Sequence, residues 1–203
     1  MVGPGAFPGV WPVTLRHGEV MVRELRTSDA VAWREVRERN LEWLARWEAT
    51  TPPGGERRPR SFAQVARRLR RGARSGTVWP YVIEVEGRFA GQVTVSGVTG
   101  GSAMFASVGY WVDRAVAGRG VAPRAVALVL DHVLSCGLHR VEVAVRPENS
   151  NSLRVVEKLG LHEVGFAPHY LHIDGLWRDH RLYAVTAEDW PPGGLLRRVL
   201  AGE

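Results

Sequence analysis

The chain has one cysteine and one lysine among its 203 residues. The single cysteine, Cys136, excludes an internal disulfide and favours a reducing compartment, and its place near a predicted helix end indicates a structural thiol. Since no CxxC or HxxxH spacing occurs, we predict no metal site. No apolar run approaches the roughly 18 residues of a membrane span, and the N-terminus lacks the basic start and apolar stretch of a signal peptide. These absences predict a cytoplasmic protein with no membrane partner.

The scarcity of lysine makes the basicity of the chain an arginine effect. Lys158 is the only lysine, so arginine supplies all the others of the 27 basic side chains and the formal net charge of +6. Together with abundant Ala, Gly, Val and Pro, this indicates a GC-rich genome rather than a nucleic-acid site. The most basic run, RRLRRGAR (67–74), has no interleaved aromatic residue on which bases could stack. We expect no direct nucleic-acid function, although the charge suits an acidic cofactor.

The hydrophobic pattern predicts a single domain over residues 19–190, with an irregular arm over 1–18 and a C-terminal tail over 191–203. Alternating and helical spacings predict these elements in order: strand 19–25, helix 27–49, helix 61–76, three antiparallel strands within 77–112, helix 123–138, strand 139–145, helix 149–161 and two strands within 162–190. The antiparallel strands lead into one right-handed βαβ unit. The predicted fold class is therefore α+β, with a mixed, mostly antiparallel central sheet of about seven strands flanked by about four helices.

The segment VAGRGVAPRAV (116–126) lies where a predicted strand ends and a predicted helix begins. Gly118 and Gly120 leave the backbone of residues 117–122 unobstructed, and N–H groups at a helix N-terminus attract anions, so this turn suits a phosphate or diphosphate. The G-x-G-x-x-G spacing of dinucleotide-binding folds and the G-K-S/T of Walker loops are both absent. Taken alone, the turn also fits an ordinary strand-to-helix junction.

Two longer segments, VGYWVDRAVAGRGVAPRAV and HRVEVAVRPENSNSLRVVEKLGL, resemble the acetyl-CoA core of the GNAT superfamily of N-acetyltransferases. The outer segments NLEWLARWEATTPP and IDGLWRDHRLYA resemble one branch, the ribosomal-protein-alanine N-acetyltransferases of the RimJ/RimL group. The resemblance covers most of the chain. It implies the GNAT fold, with the sheet splayed between its fourth and fifth strands, and acetyl-CoA (coenzyme A) as cofactor.

The resemblance also implies the cofactor-binding residues. Residues 117–122 fill the family's phosphate-loop pattern Q/R-x-x-G-x-G/A, with Ala117 at the position of Gln or Arg; since the loop acts through main-chain amides, we expect binding to survive. The preceding strand would pair its backbone with the pantetheine arm. In the N-x-x-S/A motif, Asn149 would bond the same arm and Ser152 would lie beside the thioester sulfur, although without the resemblance Asn149 is a helix cap and Ser152 a surface hydroxyl. The complete implied set is Trp111, Val112, Asp113, Ala117, Gly118, Arg119, Gly120, Val121, Ala122, Asn149 and Ser152.

Acetyl transfer to an amine needs one group that removes a proton from the ammonium and another that protonates the departing thiolate. Many relatives have a tyrosine acid where this chain has Val156, so Ser152 is the candidate acid, acting through water or by hydrogen bonding. For the base, the first candidate is Glu142 on the predicted strand 139–145, although a salt bridge with Arg140 would explain its position equally well. The alternatives are Glu84, Glu48 and a water chain.

The acceptor side is predicted to include Trp47, Glu48 and Glu84, with Glu48 placed to hold the incoming ammonium. We predict transfer of acetyl to the N-terminal α-amino group of a protein, such as a ribosomal protein, by direct attack in a ternary complex. The alternatives are a small-molecule amine, meaning a polyamine, an antibiotic or an amino acid, and a non-catalytic acyl-CoA-binding module. The predicted acceptor segments contain no acidic cluster of the kind that polyamines favour. A monomer or a homodimer is expected.

Overall fold

The computed structural model describes residues 7–55 and 61–202, in which strands form one sheet with helices on both faces. The strands are β1 (Thr14–His17), β2 (Val20–Glu24), β3 (Val78–Val85), β4 (Arg88–Thr99), β5 (Phe105–Val112), β6 (Arg140–Val145), β7 (His162–Ile173) and β8 (Leu176–Thr186). Their order in the sheet is β1-β2-β3-β4-β5-β6-β8-β7, and all neighbours are antiparallel except β5 and β6. This mixed, mostly antiparallel sheet confirms the predicted α+β class.

The helices are α1 (Ala30–Arg39), α2 (Leu41–Ala45), α3 (Phe62–Arg74), α4 (Val121–Ser135), α5 (Ser150–Leu159) and α6 (Gly194–Ala201). Side chains alternate between the faces of the sheet, so Tyr81 and Ile83 join the core formed with α4, α5 and α6. Val82, which lies between them, joins a smaller core formed with α1 and α3. None of the helices in the described ranges has both the length and the apolar character needed to cross a membrane.

Both ends of the described chain are more ordered than their sequence indicates. Residues 14–17 of the predicted arm form β1 by pairing with β2, and residues 194–201 of the predicted tail form α6. The first N–H groups of α6 at Leu195 and Leu196 donate to Asp131 on α4 at 2.7 and 3.0 Å. Elements this short show too few residues for a clear periodicity, and contacts with the rest of the fold stabilise them. Residues 1–6 and 203 lie outside the described residues.

The helix predicted over residues 27–49 is divided at Asn40. This residue has φ −111° and ψ 13°, and its side-chain Nδ2 donates to the carbonyl of Val36 at 2.7 Å. An asparagine side chain that bonds a neighbouring carbonyl competes with the helical pattern, so α1 ends and α2 begins at this point. With α6, this division gives six α-helices in the described chain where about four are predicted.

β5 and β6 diverge after three residue pairs. Phe105–Ser107 pair with Arg140–Glu142, whereas β5 continues to Val112 with only β4 beside it. The N–H of Asp113 donates to β4 at 2.7 Å. Because successive residues of a strand present their main-chain groups to opposite edges, Val112 and Tyr110 present theirs to the open edge. The predicted splay is confirmed. It lies between β5 and β6 rather than between the fourth and fifth strands because the additional strand β1 shifts the numbering by one.

Candidate active site

A cavity of about 540 Å³ lies beside the unpaired end of β5. Three segments surround it: the end of β5, the loop and first turn of α4, and the first turns of α5. Trp43 from α2 and Trp47, two residues beyond that helix, also line it. The splay of the sheet, the start of two helices and the α2 segment therefore meet at one place.

The loop before α4 presents main-chain N–H groups to this cavity. Gly118 and Gly120 have φ values of +80° and +73°, a left-handed conformation that favours glycine. Gly118, Gly120, Val121 and Ala122 line the cavity, and within the described chain their N–H groups have no hydrogen-bond acceptor. Free donors at the positive end of a helix form an anion site, which fits the predicted diphosphate loop.

Two other residues of the predicted loop are placed differently. Ala117 lines the cavity, but its N–H already donates to the carbonyl of Arg114 at 3.1 Å. The guanidinium of Arg119 lies 3.0 Å from the carboxylate of Glu19, and Arg119 does not line the cavity. The side chain of Arg119 therefore connects the loop to the start of β2, and its predicted cofactor contact stays a prediction.

Asp113 is paired at every polar group. Its side chain accepts hydrogen bonds from the guanidinium of Arg39 and, at 2.8 Å, from Asn40 Nδ2. Its N–H donates to Ala90 at 2.7 Å and its carbonyl accepts from Val116 at 3.1 Å. Burial opposes ionisation of this carboxyl, but the hydrogen bonds outweigh that effect and lower its pKa. Asp113 therefore fixes the end of β5 to the end of α1, and the structure does not bring it to the cavity as a cofactor contact.

Trp111 and Tyr110 point to opposite faces of β5, and both line the cavity. The indole of Trp111 packs 5.9 Å from the ring of Phe89, and the guanidinium of Arg37 lies 5.2 Å from its centroid. The hydroxyl of Tyr110 donates to the carbonyl of Ser152 on α5 at 3.5 Å, and burial raises the pKa of this phenol. Sequence reasoning missed Tyr110, although the alternation in GYWV places it on the α5 side once Trp111 is assigned to the other face.

The start of α5 combines the two functions considered for Asn149. Its Oδ1 caps the helix by accepting the N–H of Ser152 at 3.1 Å. Its Nδ2 has no acceptor among the described residues and remains available to the cavity, which both residues line. The side chain of Ser152 forms a hydrogen bond with the phenol of Tyr110, so these two potential donors lie next to each other. Helix capping therefore leaves a donor available at Asn149, and Ser152 places its hydroxyl beside Tyr110 at the cavity.

Glu142 and Glu84 do not line the cavity. Arg140 Nε donates to Glu142 at 2.8 Å, which is the salt bridge considered as the alternative explanation. Glu84 is buried and accepts from Arg23 Nε at 2.8 Å, and the same guanidinium binds Asp29 through both carboxylate oxygens. These carboxylates neutralise arginines within the fold, and the structure does not bring either of them to the cavity.

Trp47 and its neighbour Glu48 have different surroundings. The Trp47 ring lines the cavity between two guanidinium groups, with Arg46 at 4.8 Å and Arg146 at 5.1 Å from its centroid. The carboxylate of Glu48 pairs with Arg37 at 2.6 Å, and its carbonyl accepts an N–H from the β7–β8 turn at 3.1 Å. Of this pair only Trp47 lines the cavity, so the predicted ammonium contact of Glu48 is not brought to it.

The charged side chains that line the cavity are all cationic. They are Arg114, Arg154 and Lys158, and within the described chain no carboxylate or histidine joins them. Arg114 lies 5.7 Å from the ring centroid of Trp43. The cavity is therefore suited to an anionic ligand, and the described residues offer it neither a carboxylate nor an imidazole as a base.

Comparisons with known proteins agree with this geometry. Residues 19–162 match the family model described as the acetyltransferase (GNAT) domain. The solved structure of RimJ from Mycobacterium smegmatis in complex with CoA-disulfide is 38% identical, with a TM-score of 0.88 over 95% of this chain and 96% of that one.

Two curated bacterial relatives match over part of their lengths. The probable N-acetyltransferase YjcK of Bacillus subtilis (strain 168) is 38% identical over 103 residues, which are 50% of this chain and 57% of the relative. The ribosomal protein uS5-alanine N-acetyltransferase of Escherichia coli (strain K12) is 33% identical over 109 residues, which are 53% of this chain and 56% of the relative. The matched region thus spans little more than half the length of these curated relatives.

Coenzyme A fits the residues around the cavity. The free amides of the loop suit its diphosphate, and the open edge of β5 suits the amides of its pantetheine arm. The matching family model covers most of the sheet, and the fold of a relative with bound coenzyme A agrees over nearly the whole chain. On this evidence the chain belongs to the GNAT acetyltransferase family, whose cosubstrate is acetyl-CoA.

Proposed function

We propose that this chain transfers the acetyl group of acetyl-CoA to the N-terminal α-amino group of a protein in the cytoplasm, with a ribosomal protein as the acceptor. The observation that carries the proposal is the cavity itself, which joins free loop amides, an unpaired strand edge and two tryptophans. The relative from Escherichia coli, an alanine N-acetyltransferase of ribosomal protein uS5, supports the choice of acceptor.

Five residues of this chain would hold the cofactor by their main-chain or side-chain donors. Bound acetyl-CoA supplies an acetyl group activated as a thioester. The N–H groups of Gly118, Gly120 and Val121 would bind the diphosphate. The main chain of Val112 at the open edge of β5, together with Asn149 Nδ2, would bind the pantetheine amides and so direct the thioester toward the tryptophans.

Direct transfer forms one C–N bond and breaks one C–S bond. The ammonium of the acceptor must first lose a proton, and because no carboxylate or histidine is among the described residues lining the cavity, water carries it to bulk solvent. The departing thiolate requires a donor, for which the hydroxyl of Ser152 and the phenol of Tyr110, which are hydrogen-bonded to each other, are the candidates. The raised pKa of Tyr110 keeps its proton in place, so this phenol acts as a hydrogen-bond donor. Cys136 does not line the cavity, which agrees with transfer that needs no acetyl-enzyme.

The electrostatics of the cavity favour a peptide over a polycation. Polyamines and aminoglycosides carry several positive charges, and Arg114, Arg154 and Lys158 would repel them at short range. A peptide N-terminus brings a single amine on an uncharged backbone. The flat rings of Trp43 and Trp47 offer such a backbone contact area without a charge requirement.

The experiment that tests this proposal compares acceptors directly. The protein is incubated with acetyl-CoA and peptides that begin with Ala, Ser, Thr or Met, and thiol release is followed while mass spectrometry locates the acetyl group. We expect turnover on the free N-terminus and none on the same peptides with a blocked N-terminus. Turnover on spermidine or an aminoglycoside, with none on any peptide, would overturn the proposal.

A further inference from the structure

Two cations on α5 face the same cavity as the phosphate loop. Arg154 and Lys158 are four residues apart, so they lie on one side of the helix one turn from each other, and both line the cavity. Both residues are exposed to solvent. Long cationic side chains at this position can reach a ligand without being buried themselves.

Neither side chain has a carboxylate partner among the described residues. Arg154 donates a hydrogen bond from Nη1 to Asn151 Oδ1 at 3.3 Å, and Lys158 forms no hydrogen bond or ion pair within that part of the chain. By contrast, several arginines elsewhere are neutralised, as in the pairs of Arg23 with Asp29 and Arg140 with Glu142. The two cations on α5 thus keep their charge available at the cavity rim.

Coenzyme A carries more negative charge than the loop before α4 can neutralise. The free amides of that loop suit the diphosphate, but the ribose of the cofactor also carries a 3′-phosphate, a monoester that is close to a dianion at neutral pH. A dianion exposed to solvent is best bound by guanidinium and ammonium groups, which provide both charge and hydrogen bonds. We propose that Arg154 and Lys158 bind the 3′-phosphate of coenzyme A and select this cofactor over its 3′-dephospho form. This inference rests on the proposed function, which requires coenzyme A in this cavity.

The test measures binding of coenzyme A and 3′-dephospho-coenzyme A by isothermal titration calorimetry. Charge-assisted hydrogen bonds of this kind predict that the wild-type protein binds coenzyme A about 10- to 100-fold more tightly than the dephospho form. The variant R154Q/K158Q is expected to lose this preference while its affinity for the dephospho form stays within about twofold. Each single variant should lose part of the preference. Raising the salt concentration should reduce the preference in the wild type and leave it unchanged in the double variant.

A matched control is Arg71→Gln on α3, an exposed arginine that does not line the cavity. It removes the same charge and should leave both dissociation constants unchanged. Thermal unfolding of every variant confirms that the fold is intact. Equal binding of the two nucleotides by the wild type, or an equal loss of affinity for both in R154Q/K158Q, would overturn the proposal. In either case continued acetylation of peptides would leave the proposed function standing, whereas no binding of either nucleotide would overturn both.

Discussion

The phosphate loop and the turn immediately before it differ in how many of their polar groups form hydrogen bonds within the protein. At Asp113 every donor and acceptor is paired, through Arg39, Asn40 and neighbouring main chain. Five residues later, beginning at Gly118, four main-chain N–H groups have no acceptor among the described residues. Since unpaired polar groups are costly when water is excluded, the contrast distinguishes a structural anchor from a ligand site. A ligand site can thus be recognised where hydrogen-bond donors without partners lie next to a segment whose donors and acceptors are all paired.

The largest loss of cofactor binding is expected from a change that blocks the unpaired N–H groups of the phosphate loop. Gly120→Asp adds a side chain at φ +73° and a negative charge beside the proposed diphosphate site, so the dissociation constant of coenzyme A should rise about 100-fold. Calorimetry measures this directly. The control Gly101→Asp carries the same strain, at φ +63° with open space around it in a loop outside the cavity, and should bind coenzyme A normally. Equal affinity in the two variants would show that the loop does not bind the cofactor.

A change on the paired side should destabilise the fold instead. Asp113→Ala removes the acceptor of Arg39 and Asn40, and the free energy of unfolding in urea should fall by about 2–3 kcal/mol. Because the pKa of Asp113 is lowered in the folded state, its stabilising contribution is present above the unfolded pKa of about 4 and is lost as the pH falls through the folded value. The wild type should therefore lose more stability than Asp113→Asn on acidification. An unfolding midpoint unchanged in Asp113→Ala would contradict the anchoring role.

A smaller effect, on kcat, is expected from removing the hydroxyl of Ser152, the candidate donor to the departing thiolate. Ser152→Ala removes a candidate donor hydroxyl from the cavity, and kcat should fall about tenfold with little change in the KM for acetyl-CoA. The matched control is Ser150→Ala, which changes an exposed serine two residues earlier that does not line the cavity. Steady-state kinetics on a peptide acceptor compare them. If Ser152→Ala retained full kcat, the donor to the thiolate would have to be Tyr110 or water.

The smallest effect should come from the carboxylate that the sequence favoured as base. Glu142→Gln weakens a salt bridge with Arg140 outside the cavity, so kcat should change by no more than about twofold. The pH dependence of kcat/KM should also be unaltered. A loss of about 100-fold or more would restore Glu142 as the base, since general base catalysis contributes at least that much.

Much of the fold could be predicted because its signals are local. Alternation predicted three antiparallel strands within residues 77–112, and β3, β4 and β5 lie there in the structure. The phosphate loop was visible for the same reason, since only residues without side chains leave backbone amides accessible. α6 and β1 escaped because contacts distant in sequence, such as those of Asp131 with the start of α6, determine them.

The parts of the candidate site formed by main-chain groups could be predicted from the sequence. The roles of its charged side chains could not, because these depend on partners distant in sequence. A carboxylate on a strand looks the same in sequence whether it faces substrate or an arginine, and Arg23, 61 residues away, is what neutralises Glu84. Asp113 was placed correctly at the end of a strand, but its partners come from α1, more than 70 residues earlier. Long-range pairing of this kind gives no periodic signal. Tyr110 was missed because only its neighbour Trp111 was predicted to contact the cofactor, and the two side chains lie on opposite faces of β5.

The hydrogen bond between Asn40 and Asp113 limits how the acceptor preference of the protein could be changed. It joins the segment that carries Trp43 and Trp47 to the strand end that precedes the phosphate loop, so remodelling that wall would also disturb the cofactor. The β7–β8 turn instead forms its hydrogen bonds with Glu48 and Thr50, and Trp177 beside it is exposed. Engineering for new substrates should therefore begin with the turn and leave α2 untouched.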